Sequence, residues 1–347
     1  MSRSRLAAAL AAATTAVAAA GLVGLASTTP ASAAAAAMPA HVFSPYYEAW
    51  AGDSLSGLAS QSGNKYLTMA FLQTEKAGSC DPYWDGDTTT PVSPSTFGAD
   101  IQAIQSRGGN VVPSFGGYTA DTTSTDIADS CTDVAAIAAA YERVVTTYRV
   151  TRIDLDVEAD SLNNPAGIDR RNKAIRKVED WAARTNRTVQ FVYTLPTTTT
   201  GLAPSGYAVL QNAVSNHARV DIVNIMTFDY WDGVTHQMAD DTKTAATGLY
   251  DQLSALYPGR GSARLWRTIG VTEMIGIDDY GPEETFTLDD AAAVQAWATE
   301  QGIAELSIWA LQRDNGGCPG TKGDNSCSGV AQSTWAFSHT FEPFTRR

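Results

Sequence analysis

Positive charge is scarce in this sequence of 347 residues. Lys and Arg together number 24 against 37 Asp and Glu, and the formal net charge is −13. Such a chain repels phosphate backbones and anionic lipid, so no nucleic acid partner and no membrane partner are expected. A neutral substrate is compatible with this charge.

Long apolar runs are also missing once the N-terminal segment is passed. Residues 1–33 carry a basic start, an Ala-rich apolar run and the small-residue site Ala31-Ser32-Ala33, which is typical of a secretory signal peptide. A membrane anchor is the competing interpretation, but the run is only weakly apolar and precedes a cleavable tract. We therefore expect a secreted, extracellular protein in which the signal peptide (1–33) is removed and residues 34–347 form the mature domain.

Cysteine and histidine are rare, with four of each. No paired CxxC spacing exists and the histidines are scattered, so no metal site is expected. In an exported protein four cysteines suggest two disulfides, for which three connectivities are possible. Cys318 and Cys327 flank a glycine-rich loop, so we expect these two to pair with each other and Cys80 to pair with Cys131.

Two common enzyme signatures are absent as well. No GxGxxG follows the first strand, which removes the main argument for a dinucleotide cofactor, and no GxSxG elbow supports Ser-His-Asp hydrolysis. What is present is a series of short β-branched runs, which predict strands at 42–50, 66–73, 110–117, 152–158, 188–196, 220–230, 266–276 and 305–313.

Helical patterns lie between these runs, at 133–148, 168–184, 205–218, 242–257 and 288–302. Eight strands that alternate with helices in some 300 residues imply parallel strands joined by crossovers. The sequence therefore predicts an α/β fold, a single (β/α)₈ TIM barrel.

The stretch "TRIDLDVEAD" (151–160) is unusual in that setting. Asp154, Asp156 and Glu158 alternate with apolar residues, so a strand here carries three carboxyl groups on one face. In a barrel the helices cover the outer face, and the carboxyl groups would point into the lumen. Burying them costs several kcal/mol each unless they share protons, which raises at least one pKa. A glutamic acid of raised pKa at the carboxyl end of the strand is suited to general acid catalysis.

Four motifs in strand order resemble glycoside hydrolase family 18, the chitinases and their relatives. "DLDVE" is similar to the family's DxDxE, "SFGG" (114–117) to its SxGG, "NIMTFDY" (224–230) to its Met-x-Tyr-Asp region, and "LSIWALQRDN" places Trp309 at its eighth-strand tryptophan. Together they extend over most of the chain after residue 33.

The resemblance implies a role for each residue of the triplet. Glu158 would protonate the glycosidic oxygen, and the substrate's own N-acetyl carbonyl would attack to close an oxazolinium ring. Asp156 would hold the acetamide N–H, and Asp154 would sit behind Asp156. Water would then open the ring with Glu158 as base, so that the anomeric configuration is retained.

Further candidates surround the triplet. Trp309 is expected to be a sugar platform, and the other candidates for substrate contact or support are Met226, Tyr193, Trp231, Ser114, Gly116 and Gly117. Asp229 is a catalytic candidate. Phe228 stands where many family members have the tyrosine, so Tyr230, two residues on, is expected to supply that hydroxyl.

A second departure from the family pattern and two rival functions accompany this interpretation. The family's Asp-Gly ahead of the triplet is replaced by Thr151 and Arg152, which we expect to tune activity rather than remove it. The expected function is hydrolysis of chitin or other β-1,4-linked N-acetylglucosamine oligosaccharides by a monomer. The rivals are an endo-β-N-acetylglucosaminidase acting on the N-glycan core and a non-hydrolytic chitin-binding relative.

Overall fold

A computed structural model describes residues 37–346 of the chain. Twelve strands are present in these residues: β1 Val42–Phe43, β2 Tyr46–Glu48, β3 Tyr66–Thr74, β4 Pro82–Trp84, β5 Asn110–Gly116, β6 Arg152–Asp156, β7 Gln190–Pro196, β8 Ile222–Met226, β9 Ile269–Met274, β10 Gly276–Ile277, β11 Thr285–Phe286 and β12 Glu305–Trp309.

Eight strand positions pair side by side in parallel. The order of the sheet is β1-β12-β9-β8-β7-β6-β5-β3-β2, with β4 added antiparallel to β3 and a separate hairpin formed by β10 and β11. Its two ends, β1 and β2, are the two halves of the single first strand that the sequence predicts. The Ser44 N–H donates to the Leu306 carbonyl, and the Thr68 N–H donates to the Pro45 carbonyl. The ring is thus completed through an interrupted first strand, not by one continuous ladder.

Helices alternate with these strands and cover the outside of the ring. Their bounds are α1 Leu55–Ser62, α2 Gly98–Ser106, α3 Tyr118–Thr123, α4 Ile127–Ser130, α5 Val134–Tyr148, α6 Pro165–Arg184, α7 Pro204–Ser215, α8 Met238–Leu256, α9 Ser262–Trp266, α10 Leu288–Gln301 and α11 Ala336–Phe341. The predicted (β/α)₈ barrel is confirmed. The predicted signal peptide lies outside the described residues, so the division into residues 1–33 and 34–347 stays a prediction.

Helix α10 shows how local sequence sets a boundary. Thr287 accepts from the Asp290 N–H while the Asp290 carboxylate accepts from the Thr287 N–H, a capping box one residue before the predicted start of this helix at residue 288. Gly302 ends the helix at φ 71°, in the left-handed conformation that glycine adopts without steric cost.

Both predicted disulfides are present, Cys80–Cys131 and Cys318–Cys327. The first closes a sequence separation of 51 residues and ties the loop after β3 to the end of α4. In residues 37–346 no helix combines the length and the apolar character that a membrane crossing requires.

The base of the barrel lumen holds a buried ion pair. Arg152 donates to Glu305 at 2.7 Å, and the two side chains are 2% and 3% exposed. The Gln190 amide oxygen also accepts from Arg152. Arg152 is one of the two residues that replace the family's Asp-Gly ahead of the carboxylate triplet, and it points inward because it shares the strand parity of Asp154.

Removing one partner of this pair is expected to destabilise the protein far more than removing both. Burial raises the pKa of Glu305 to about 7, so the comparison belongs at pH 8, where the carboxylate is ionised. Glu305→Leu leaves a buried, uncompensated guanidinium and should lower the free energy of unfolding in urea by about 3–5 kcal/mol. The double variant Arg152→Leu/Glu305→Leu should recover most of that loss. A double variant as unstable as the single one would contradict this account.

Candidate active site

The aspartates of the triplet face the barrel lumen. Asp154 and Asp156 are 2% and 3% exposed, whereas Ile153, Leu155 and Val157 pack into the apolar layer between the strands and the helices. Strand β6 ends at Asp156, so Glu158 stands just beyond its carboxyl end, partly exposed. The alternation in the sequence therefore separates two buried carboxyl groups from a third at the mouth of the barrel.

Asp154 is satisfied by three hydroxyl groups from neighbouring strands. Ser114 donates to its Oδ2 at 2.5 Å, Tyr46 donates to the same oxygen at 3.0 Å, and Thr194 donates to Oδ1 at 2.6 Å. Burial raises the pKa of Asp154 to about 6, and these hydrogen bonds oppose the rise because they stabilise the carboxylate. Asp154 is therefore fixed in position.

Asp156 has much less support. Its Oδ1 is buried and has no hydrogen-bond partner. Burial raises the pKa of Asp156 well above the usual value, and the charges of Glu158 and Asp154 raise it further. A buried acceptor without a donor is costly in the free protein. It is suited to an N–H group that a ligand would bring.

The backbone of Glu158 is hydrogen-bonded to a residue that no sequence motif indicates. Its backbone N–H donates to the carboxylate of Asp121, which is 1% exposed on α3. Burial, followed by the charge of Asp229, raises the pKa of Glu158 to about 7. Such a group is protonated in part near neutral pH and can act as both acid and base.

Behind Asp121 lies a second buried ion pair. Arg171 donates to Asp126 at 2.8 Å, and both side chains are at most 2% exposed. Asp129 is next to them and accepts from Ser161 and Asn164. Neither residue type nor spacing signals this cluster, because its members come from α4, α6 and the loop after β6.

Glu158 and Asp156 open onto a cleft of about 470 Å³ at the carboxyl end of the barrel. The sequence predicted six of its lining residues: Asp156, Glu158, Met226, Asp229, Trp231 and Trp309. It did not single out Phe71, Tyr118, Pro196, Thr197, Met274 or Asp279 as site residues, and they also line the cleft. Phe228 is a lining residue too, at the position where the family's tyrosine was expected.

An aromatic wall forms one side of this cleft. The rings of Trp309 and Phe71 are stacked, with centroids 5.7 Å apart and an interplanar angle of 11°. Trp50 extends the wall, 6.1 Å from Phe71 and 6.2 Å from Trp309. Stacked flat rings offer apolar faces on which the C–H faces of a pyranose can pack.

The structure keeps Tyr193 and Tyr230 away from the lining of the cleft. Tyr193 is in register with Leu155 and therefore faces the helices, where its hydroxyl donates to Asn172 at 2.9 Å. Strand β8 ends at Met226, and Asp229 has φ 54°, so strand parity no longer applies at Tyr230. The ring of Tyr230 instead packs 4.8 Å from His236, and its hydroxyl is buried.

The glycines of the "SFGG" segment permit close backbone contact. A Cβ on Gly116 would stand 2.0 Å from the Asp156 carbonyl oxygen, and one on Gly117 would stand 2.7 Å from the Phe71 ring. The Gly117 N–H donates to the same Asp156 carbonyl at 3.0 Å. These positions therefore support the triplet strand, as Ser114 does through Asp154, and none of the three lines the cleft.

No cation site accompanies the carboxyl groups of the cleft. Within residues 37–346, the side chains close enough to share a metal ion are Cys318, Asp324 and Cys327. The two sulfurs of that group are bonded to each other, so they are not available as thiolate ligands.

The parallel barrel holds a buried aspartate pair behind a glutamic acid, and Asp156 and Glu158 open onto an aromatic cleft. These features define a (β/α)₈-barrel protein with a glycosidase-type site. The family model for "Glycosyl hydrolases family 18" matches residues 42–268, and the chain belongs to this family.

Individual proteins agree with this assignment. The chain is 29% identical to the probable bifunctional chitinase/lysozyme of Escherichia coli K12 over 90% of its length, and 28% identical to endochitinase 11 of Metarhizium anisopliae over 80%. It spans only 35% and 53% of those two proteins. It superimposes on active domain 2 of the chitinase from Pyrococcus furiosus with a TM-score of 0.78 and 29% identity, covering 90% of this chain and 97% of that one.

The strain at Asp156 should be visible as a pH dependence of stability. A carboxyl group whose pKa is raised by folding costs stability as pH rises from its unfolded-state value of 3.8 through its folded-state pKa. Asp156→Asn does not titrate, so at pH 8 it should be more stable than the wild type. At pH 4, where Asp156 is protonated, the difference should disappear.

Urea unfolding at both pH values measures this difference. Asp160→Asn, which removes an exposed carboxylate four residues further on, is the matched control and should show no such dependence. An Asp156→Asn variant equally stable or less stable at pH 8 would show that the aspartate is not under electrostatic strain.

Proposed function

We propose that this protein is a secreted, monomeric, retaining chitinase that hydrolyses β-1,4-linked N-acetylglucosamine chains by substrate-assisted catalysis. The observation that carries the proposal is the unpartnered Oδ1 of Asp156 beside Glu158 in the cleft. A 2-acetamido group brings the N–H that this oxygen lacks. The similarity to proteins named as chitinases supports the same substrate class.

The residues divide the reaction between them. Glu158 donates its proton to the glycosidic oxygen as the leaving group departs. The acetamide carbonyl oxygen attacks C1, and Asp156 orients the acetamide through its N–H and stabilises the positive charge of the oxazolinium ion. Glu158 then removes a proton from the water that opens the ring, so two inversions at C1 give net retention.

The remaining cleft residues position the sugar. Trp309, in the aromatic wall, provides the ring on which the reacting pyranose packs, and Met226 also lines the cleft. Phe228 has no hydroxyl and Tyr230 is outside the lining, so neither supplies a donor to the acetamide carbonyl. Burial raises the pKa of Asp229 to about 7, and its protonated form is able to donate a hydrogen bond within the cleft.

Secretion rests on two features of the chain. The N-terminal pattern is that of a signal peptide, and two disulfides suit an oxidising compartment. Expression with residues 1–33, followed by N-terminal sequencing of protein from the medium, tests this part of the proposal.

Substrate class is tested by parallel digestion of N-acetylglucosamine hexamer and a high-mannose glycoprotein. The wild type should release short oligosaccharides from the hexamer and leave the glycoprotein intact. Glu158→Gln should lower hexamer hydrolysis by at least about 10²-fold while still binding the hexamer in calorimetry, because only proton transfer is removed. Cleavage of the glycan core alone would indicate an endo-β-N-acetylglucosaminidase. Binding of the hexamer without hydrolysis, equal in the wild type and in Glu158→Gln, would indicate a binding protein.

The acid role of Glu158 also predicts a pH profile. Since the group must be protonated to act, kcat/KM should fall as pH rises past about 7. The charge of Asp229 raises the pKa of Glu158, so Asp229→Asn should move this alkaline limb to lower pH. The exposed control Asp160→Asn should leave the limb in place. An alkaline limb at the same pH in Asp229→Asn as in the wild type would show that the charge of Asp229 does not raise the pKa of Glu158.

A further inference from the structure

The loop that follows β8 reaches the cleft in a strained backbone conformation. Strand β8 ends at Met226, and both Asp229 and Trp231 line the cleft. Their φ angles are 54° and 55°, in the left-handed region that is costly for a bulky residue such as tryptophan. Such a conformation persists only where contacts from the surrounding structure fix it.

Two buried carboxyl groups supply those contacts. Glu284 accepts from the Tyr230 N–H at 2.9 Å and from the Trp231 N–H at 3.1 Å, one on each of its oxygens. Asp278 accepts from the Asp229 N–H at 3.4 Å. Both acidic side chains are fully buried. Three consecutive N–H groups of the loop are thus bonded to side chains that lie 49 to 54 residues further along the chain.

The β10–β11 hairpin brings these two carboxyl groups together. Ile277 pairs with Thr285 at the end of its ladder. Asp278 and Glu284 therefore lie opposite each other one position further on. The N–H groups of residues 280 and 281 donate to Asp278 Oδ1 at 3.0 and 3.1 Å, which fixes the aspartate within the turn of the hairpin.

The two carboxyl groups share a proton. Burial raises the pKa of Asp278 to about 8, and the charges of Asp229 and Glu284 and a hydrogen bond with the Glu284 side chain act in the same direction. Asp278 is therefore mostly protonated at neutral pH, and its hydroxyl can donate to Glu284 while both Glu284 oxygens accept from the loop.

A metal ion does not fit this arrangement. Within residues 37–346, Asp229, Asp278 and Glu284 are not among the side chains that converge closely enough to share a cation. Backbone N–H groups already point at the oxygens of Asp278 and Glu284, and such donors would repel a cation. The carboxyl groups are therefore arranged to hold backbone.

The effect of this arrangement on the cleft is concentrated at Trp231. Its side chain is 58% exposed, so one face remains open to a ligand. Its ring also packs on Tyr280, with centroids 5.0 Å apart and an interplanar angle of 71°. Tyr280 belongs to the same turn as Asp278, so the hairpin contacts both the backbone and the ring of Trp231. An exposed indole held in this way can pack against a sugar ring.

We propose that Glu284 and Asp278 are positioning residues that fix Trp231 as a sugar-binding ring of the cleft. This inference rests on the proposed function, because it assigns Trp231 to an outer sugar of the chain that Glu158 cleaves. Neither Glu284 nor Asp278 lines the cleft, so both act through the loop and not on the substrate.

The test is a double-mutant cycle between Glu284→Ala and Trp231→Ala, measured on hydrolysis of N-acetylglucosamine hexamer. Trp231→Ala should raise KM about three- to tenfold with little change in kcat, because a surface that binds the sugar throughout the reaction is lost. Glu284→Ala should raise KM to a similar extent. The double variant should have the KM of Trp231→Ala alone, because the carboxyl group acts only through that residue.

Conservative and neighbouring variants separate positioning from a general loss of structure. Asp278→Asn keeps a donor toward Glu284, so its KM should stay within about twofold of the wild type, whereas Asp278→Ala should raise KM. Glu283→Ala removes the carboxylate next to Glu284 and should leave KM unchanged. Glu284→Gln retains one acceptor oxygen and takes the place of Glu284→Ala in the cycle if that variant does not fold.

The outcomes distinguish this inference from the proposed function. Additive effects in the cycle, a wild-type KM in Trp231→Ala, or a fall in kcat without a rise in KM in the Glu284 variant would overturn the positioning role. The chitinase proposal would still stand in each case, because the wild type hydrolyses the hexamer. No hydrolysis of the hexamer by the wild type would overturn the chitinase proposal itself.

Discussion

Carboxyl groups that share the lumen of one ring of strands impose the main constraint on this structure. Asp154 and Asp156 are shielded from water, and two buried cations are paired with other carboxylates, Arg152 with Glu305 and Arg171 with Asp126. Hydroxyl groups of neighbouring strands donate hydrogen bonds to Asp154, but one oxygen of Asp156 has no donor. The unpartnered oxygen lowers the stability of the free protein and leaves an acceptor open to a ligand N–H group.

The position of Glu158 follows from the same constraint. It stands beyond the last residue of β6, where the lumen meets the cleft, so it is shielded enough for a raised pKa yet accessible to a ligand. Asp121 fixes its backbone from the side opposite the cleft. The contact with Asp121 fixes the backbone of Glu158, and burial together with the charge of Asp229 raises the pKa of its carboxyl group.

The barrel and the position of the two aspartates in its lumen could be predicted from the sequence, because strand periodicity is local and the strand–helix unit repeats along the chain. The alternation at 152–158 placed the aspartates in the lumen, and the eight apolar runs placed them in a ring. Tyr193 faces the helices because it is in register with Leu155, and its residue type alone does not reveal that face. Tyr230 leaves the cleft because the strand ends before it, at a positive φ that sequence parity does not reveal. The contact of Asp121 with the Glu158 N–H joins α3 to the end of β6 across 37 residues of sequence, and no short motif encodes it.

In the proposed mechanism, the substrate's own acetamide attacks C1 on the face opposite the proton donated by Glu158. The most direct measurement is the anomeric form of the first product from N-acetylglucosamine hexamer, followed by proton NMR in the first minutes, before mutarotation. This account predicts the β-anomer in excess at the new reducing end. An initial excess of the α-anomer would mean a single inversion by water and would contradict it.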